Sequence, residues 1–225
     1  MAQRHRISGA QTSVSAVASP PTVQLQGDSA LARWLLRALG WQLHFAGLPS
    51  LQGMFVVYPH TSNWDFVLAV IAKWSIGLQV NFWGKGSLFK VPLLGAWLRW
   101  MGGIPVLRDA PHGLVGQAVR QLQDARAAGR YCWFGLAPEG TRKYTAGWRS
   151  GFYRTALQAD IPLCLVRLDY SRKTIVATEF MRLSGDMPAD MAHIAAYFEG
   201  AHGLRPAQES PVRLLPADAS PHQGK

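Results

Sequence analysis

Residues 54–74 read Met54-Phe-Val-Val-Tyr58-Pro59-His60-Thr-Ser-Asn-Trp-Asp65-Phe-Val-Leu-Ala-Val-Ile-Ala-Lys-Trp74. The first five are apolar and β-prone, so they predict a short buried strand. From Asp65 the pattern predicts a helix reaching about Trp74, with Asp65 in its first turn. A strand that hands the chain to a helix across a short polar loop is the building unit of α/β layering. The loop here carries a histidine.

The same alternation continues on both sides. Toward the N-terminus, Asp28-Ser29 can cap a helix over residues 30–39, in which Leu31, Trp34, Leu35 and Ala38 fall at helical spacing. Trp41, Leu43 and Phe45 alternate with polar residues and predict a strand ending at Gly47-Leu48-Pro49. Toward the C-terminus, strands are predicted at residues 79–83, 104–107, 131–136, 162–170 and 174–180. Helices are predicted at 89–101, 112–128, 150–159 and 187–200. The expected fold class is α/β: a single domain with a mixed central sheet flanked by helices and an N-terminal amphipathic helix. Residues 1–27, with Ser19-Pro20-Pro21, predict a disordered leader, residues 28–205 the folded domain, and residues 206–225, with four prolines, a flexible tail.

The 225 residues suffice for one sizeable core. Only 16% are charged, yet the formal net charge is +10 and there are nine tryptophans. A basic surface favours phosphate-bearing substrates, anionic headgroups or nucleic acid. The cations are scattered, without a helix-turn-helix or an aromatic RNA-binding signature, so nucleic acid is not an expected partner. Cys132 and Cys164 lie in apolar strand-like runs and are expected to be buried free thiols. No apolar run approaches the roughly 20 residues of a spanning helix. Trp34, Trp41, Trp97 and Trp100, near Arg33, Arg37 and Arg99, suit a bilayer interface instead.

Three strand ends carry residues able to do chemistry. His60 and Asp65 are separated by four residues, close enough for the carboxylate to reach the imidazole. A histidine as a residue type is a usable base near neutral pH, and a carboxylate on its far nitrogen fixes the tautomer and stabilises the imidazolium. Read bare, the pair also suits a helix cap beside a loop histidine. Ala137-Pro138-Glu139-Gly140-Thr141-Arg142 makes a sharp turn in which Arg142 can grip a phosphate and Gly140 allows close backbone approach. Gly102-Gly-Ile-Pro-Val-Leu-Arg108 ends another strand on an arginine. No further His or Cys lies at metal-ligand spacing from His60. The chain has no Gly-x-Ser-x-Gly elbow, which argues against a serine esterase.

Taken together, these stretches resemble the glycerolipid acyltransferase family, typified by bacterial 1-acylglycerol-3-phosphate acyltransferases. His60 and Asp65 match its His-x4-Asp motif, Gly103 to Arg108 its second motif, Pro138 to Arg142 its Pro-Glu-Gly-Thr-Arg motif, and Ile161 to Val166 its apolar fourth. Leu165 and Arg149 depart from the pattern, standing where relatives have a proline and a lysine, and the residues between His60 and Asp65 differ from the common form. The resemblance implies transfer of a fatty acyl group from acyl-CoA or acyl carrier protein to a lysophospholipid hydroxyl, with 1-acylglycerol-3-phosphate the expected acceptor, in phospholipid biosynthesis. It implies His60 as general base and Asp65 as its orienter. Arg108, Glu139, Gly140, Thr141 and Arg142 would bind the acceptor. No metal, cofactor or prosthetic group is implied. The expected location is peripheral, on the cytoplasmic face of the inner or plasma membrane. Other readings of the same residues are an acyltransferase or transacylase for another headgroup, and a catalytically silent lipid-binding relative.

Overall fold

A computed structural model describes Val23, Leu25, residues 27–106 and residues 113–216. In chain order the elements are α1 (Ala30–Ala38), β1 (Gln42–Phe45), β2 (Gln52–Tyr58), α2 (Trp64–Ser75), β3 (Phe82–Lys85), α3 (Leu94–Trp100), β4 (Gly103–Val106), α4 (Gly113–Ala127), β5 (Cys132–Leu136), α5 (Gly151–Ala159), β6 (Leu163–Asp169), β7 (Thr174–Met181) and α6 (Met187–Phe198). Five strands form one sheet in the order β1-β7-β6-β2-β5, with β3 and β4 as a parallel pair beside it. A parallel bridge between Asn81 and Phe134 links the pair to β5. Among the described residues only the β6–β7 hairpin is antiparallel, so the sheet is mixed, as expected.

The side-chain period of two divides β2 between two cores. Phe55 and Val57 face a cluster containing Leu36 of α1 and Leu68 and Ala72 of α2. Met54, Val56 and Tyr58 face Leu122 of α4, Phe152 and Ala156 of α5, and Ile194 and Phe198 of α6. Coverage on both faces explains why β2, β5 and β6 read as continuous apolar runs, whereas edge strand β1 alternates. Cys132 and Cys164 are free and buried.

Two expectations, the 89–101 helix and the tail, are corrected. The helix expected over 89–101 is a short 3-10 turn at Gly86–Lys90 followed by α3, because Pro92 supplies no N–H and disfavours helix at Val91. Leu93, at φ 63°, makes the break. In α1 the stripe that holds Leu31 and Trp34 points outward, and the inward residues are Ala32 and Leu36. The tail expected from residue 206 is, as far as residue 216, packed onto the domain: Ser210 is buried and Trp148 exchanges backbone hydrogen bonds with Arg213 and Leu215. Pro206 opens a 3-10 turn over Pro206–Gln208 within this packed segment. Residues 217–225, and of the expected leader all but Val23, Leu25 and Gly27, lie outside the described residues; Val23 and Leu25 pack against the α1–α2 core.

Candidate active site

Parallel pairing decides where the motif residues meet. β2 lies between β5 and β6 and is parallel to both, with Val56 opposite Leu136 and Leu165. The loops after these strands therefore emerge at one sheet edge, where α/β folds place their chemistry. That edge receives His60, the Glu139–Arg142 turn and Tyr170.

His60 Nδ1 lies 3.0 Å from Asp65 Oδ2. The same oxygen accepts the backbone N–H groups of Thr61 and Ser62, each at 2.8 Å. Asp65 Oδ1 accepts the Tyr170 hydroxyl at 2.7 Å. Burial alone would raise the Asp65 carboxyl, but hydrogen bonds from His60, Tyr170 and Ser62 outweigh it and hold it below its ordinary value. A carboxylate only accepts, so the imidazole presents Nδ1–H to Asp65 and keeps Nε2 as its proton acceptor. Tyr170 is itself held edge-on by Trp41, with ring centroids 4.9 Å apart.

Glu139 departs from the expected role at the acceptor. Its side chain is buried behind the turn, where Oε1 accepts the His60 N–H at 3.0 Å. Burial pushes its carboxyl up to about 8, and Oε2 has no hydrogen-bond partner. It is a strut under the histidine, and the groups facing the cavity are Gly140, Thr141 and Arg142. Gly140 has φ +67°, and a Cβ there would meet Arg149 Nε at 3.1 Å. The glycine thus lets the Arg149 side chain lie over the turn. Arg108 falls outside the described residues, two positions beyond the end of β4.

His60, Asp65, Arg142 and Arg149 open onto a cavity of about 760 Å³, within the ~300–1,000 Å³ of small-molecule sites. Its lining includes Ala69 and Ile76, Phe45 and Ile175, Val115 and Ala118 of α4, and Phe152 of α5. The lining is mainly apolar, so the site joins a base and cations at its mouth to a greasy interior. Lys73 also lines the cavity; its Nζ donates to Met101 O at 2.6 Å at the C-terminal end of α3, and burial lowers its pKa. Among the described residues no group of three His, Cys, Asp or Glu could hold a metal ion.

Sequence reasoning located His60, Asp65, Gly140, Thr141 and Arg142 at this edge. It missed Tyr170 and the inward turn of Glu139. Tyr170 is the last residue of the expected 162–170 strand and follows β6 directly.

The acyltransferase family model matches residues 27–168. The chain is similar to the crystal structure of the 1-acyl-sn-glycerophosphate (LPA) acyltransferase PlsC from Thermotoga maritima, at 16% identity and a TM-score of 0.48, over 75% of this chain and 73% of that one. None of the curated proteins compared with the chain matches it.

Proposed function

Because the chain belongs to the acyltransferase family, we propose that it transfers a fatty acyl group from acyl-CoA or acyl carrier protein to the hydroxyl of a lysophospholipid, with 1-acylglycerol-3-phosphate as acceptor, in phospholipid biosynthesis. The observation that carries this reading is the His60–Asp65 pair opening, beside Arg142 and Arg149, into a mainly apolar cavity.

In this scheme Nε2 of His60 takes the acceptor's hydroxyl proton as the oxygen attacks the thioester carbonyl. Asp65 holds the imidazole in the required tautomer and stabilises the imidazolium. The tetrahedral intermediate collapses, the C–S bond breaks, and the leaving thiolate takes the proton from His60. The new ester forms without an acyl-enzyme. Thr141, Arg142 and Arg149, joined by Arg108, hold the acceptor phosphate, with Gly140 allowing its close approach. Glu139 serves the same end from beneath by fixing the His60 backbone. The apolar lining takes acyl chain.

The exposed tryptophans favour peripheral membrane contact. No helix among the described residues is long and apolar enough to cross a membrane. Trp34 is 62% exposed and Trp100 70%, while Trp41, expected in the same set, is buried. Ser29 N–H donates to Trp74 O at 2.9 Å and Trp74 packs on Trp100 at 5.7 Å, so α1 and α3 flank the same end of α2. Their outer faces form the proposed contact, on the cytoplasmic face of the inner or plasma membrane.

The test is an assay with labelled acyl-CoA, or acyl carrier protein, and a panel of lysophospholipids. Wild type should acylate 1-acylglycerol-3-phosphate. His60→Ala should lose about 10²- to 10⁴-fold in rate. An alanine variant as fast as wild type would remove His60 from the mechanism.

A further inference from the structure

The chain after α6 binds both motif loops. Tyr170 N–H donates to His202 O at 2.8 Å, which ties the start of this segment to the residue that holds Asp65. Arg205 N–H donates to Thr61 Oγ1 at 3.2 Å. The Gln208 amide faces two carbonyls, so its nitrogen is the atom turned toward them; it donates to Thr61 O at 3.0 Å and to Arg142 O at 2.7 Å. The Tyr58 hydroxyl donates to Ser210 O at 2.9 Å, and Ser210 Oγ accepts Thr145 N–H at 3.0 Å. Gly203 lies so close to the histidine loop that a Cβ would stand 2.5 Å from Thr61 Oγ1. Residues 202–210 lie beyond residues 27–168, the part matched by the family.

One side chain thus joins the residue next to the base to the arginine of the phosphate clamp. We propose that residues 202–210 are a brace that sets the spacing between His60 and Arg142, and that Gln208 is a positioning residue selecting acceptors by the distance from their hydroxyl to their phosphate. The inference rests on the acceptor reading above. A clamp and a base on separate loops discriminate by spacing only if those loops keep a fixed separation. Shifting a reacting group by about 1 Å can cost about 10²-fold in rate.

The experiment compares two acceptors, 1-acylglycerol-3-phosphate and a homologue with one methylene added between the hydroxyl-bearing carbon and the phosphate. The readout is the ratio of their kcat/KM values, from which any loss of active protein cancels. Wild type should favour the first by about tenfold or more, the discrimination one methylene commonly gives. Gln208→Glu sets acceptor oxygens against both carbonyls, and Gly203→Ala pushes on Thr61. Both variants should lower the ratio by about threefold or more. Gln208→Met, which removes the donors without adding charge, serves if the glutamate variant does not fold. Variants that keep the wild-type ratio, however slow, would reduce the segment to packing and overturn the proposal. A wild type that used both acceptors equally would overturn the brace and leave acyl transfer standing. A wild type that used neither would overturn both.

Discussion

Four hydrogen bonds converge on the Asp65 carboxylate. Asp65→Asn would keep the shape but offer an N–H where His60 needs an acceptor, favouring the wrong tautomer, and kcat should fall about 10³- to 10⁴-fold. Tyr170→Phe removes one donor to a charged acceptor and should destabilise the fold by about 1.5–3 kcal/mol. It should also let the Asp65 carboxyl protonate at a higher pH, because one of the hydrogen bonds that hold its pKa down is gone. An Asp65 carboxyl whose titration, followed by NMR, is the same in wild type and variant would show that the Tyr170 hydroxyl does not hold the carboxylate. Glu139 titrates in the opposite sense. Its pKa rises from 4.5 to about 8 on folding, so between those values the unfolded chain holds fewer protons than the folded one. Stability therefore falls as pH rises through that window. Glu139→Gln keeps an acceptor for the His60 N–H and does not ionise. Its Tm should decline less than that of wild type between about pH 5 and about pH 8, and parallel Tm curves would show that burial of Glu139 carries no such cost.

At the scale of elements, what could be read from the chain depended on whether a cause was local. β2, β5 and β6 announced themselves because burial on both faces demands unbroken apolar runs, and the motif loops followed from where those runs end. The 89–101 segment misled because Val91, Leu93 and Leu94 suit a helix, while the break depends on Pro92 and on a glycine: Gly95 packs against Phe89 O, which a Cβ would approach to 2.3 Å. In α1, spacing showed an apolar stripe but not which stripe meets α2. Tyr170 and Gln208 could not be assigned from local pattern, because their partners lie far off in the chain at Asp65, Thr61 and Arg142. Leu93 offers a check on the break. It is 87% exposed at φ 63°, so Leu93→Gly gives up little burial and relieves a strained backbone. The variant should gain about 1 kcal/mol, or roughly 2–4 °C in Tm. A lower Tm would mean that the leucine side chain contributes more than its backbone costs.

For the whole molecule, the proposed membrane contact draws on a net charge of +10 and on the exposed apolar side chains of α1 and α3. In that proposal long-range attraction would bring the protein to an anionic surface and the tryptophans would hold it there. Binding to anionic vesicles should weaken as salt shortens the Debye length from about 30 Å at 0.01 M to about 8 Å at 0.15 M. Trp34→Ser with Trp100→Ser should weaken vesicle binding at both salt levels, as measured by co-sedimentation. Vesicle binding indifferent to both changes would leave the exposed tryptophans without a membrane role.

The pairing of β2 also has a consequence in time. A ribosome that has delivered residues up to 131 has already made His60 and Asp65, but neither neighbour of the strand that carries them: β5 begins at Cys132 and β6 at Leu163. Until both emerge, Met54, Val56 and Phe55 have no sheet to enter, and the nascent chain presents an oily strand with bare edges. Such an interval suits a chaperone that shields hydrophobic segments during synthesis. The His60–Asp65 pair is thus made early and assembled late.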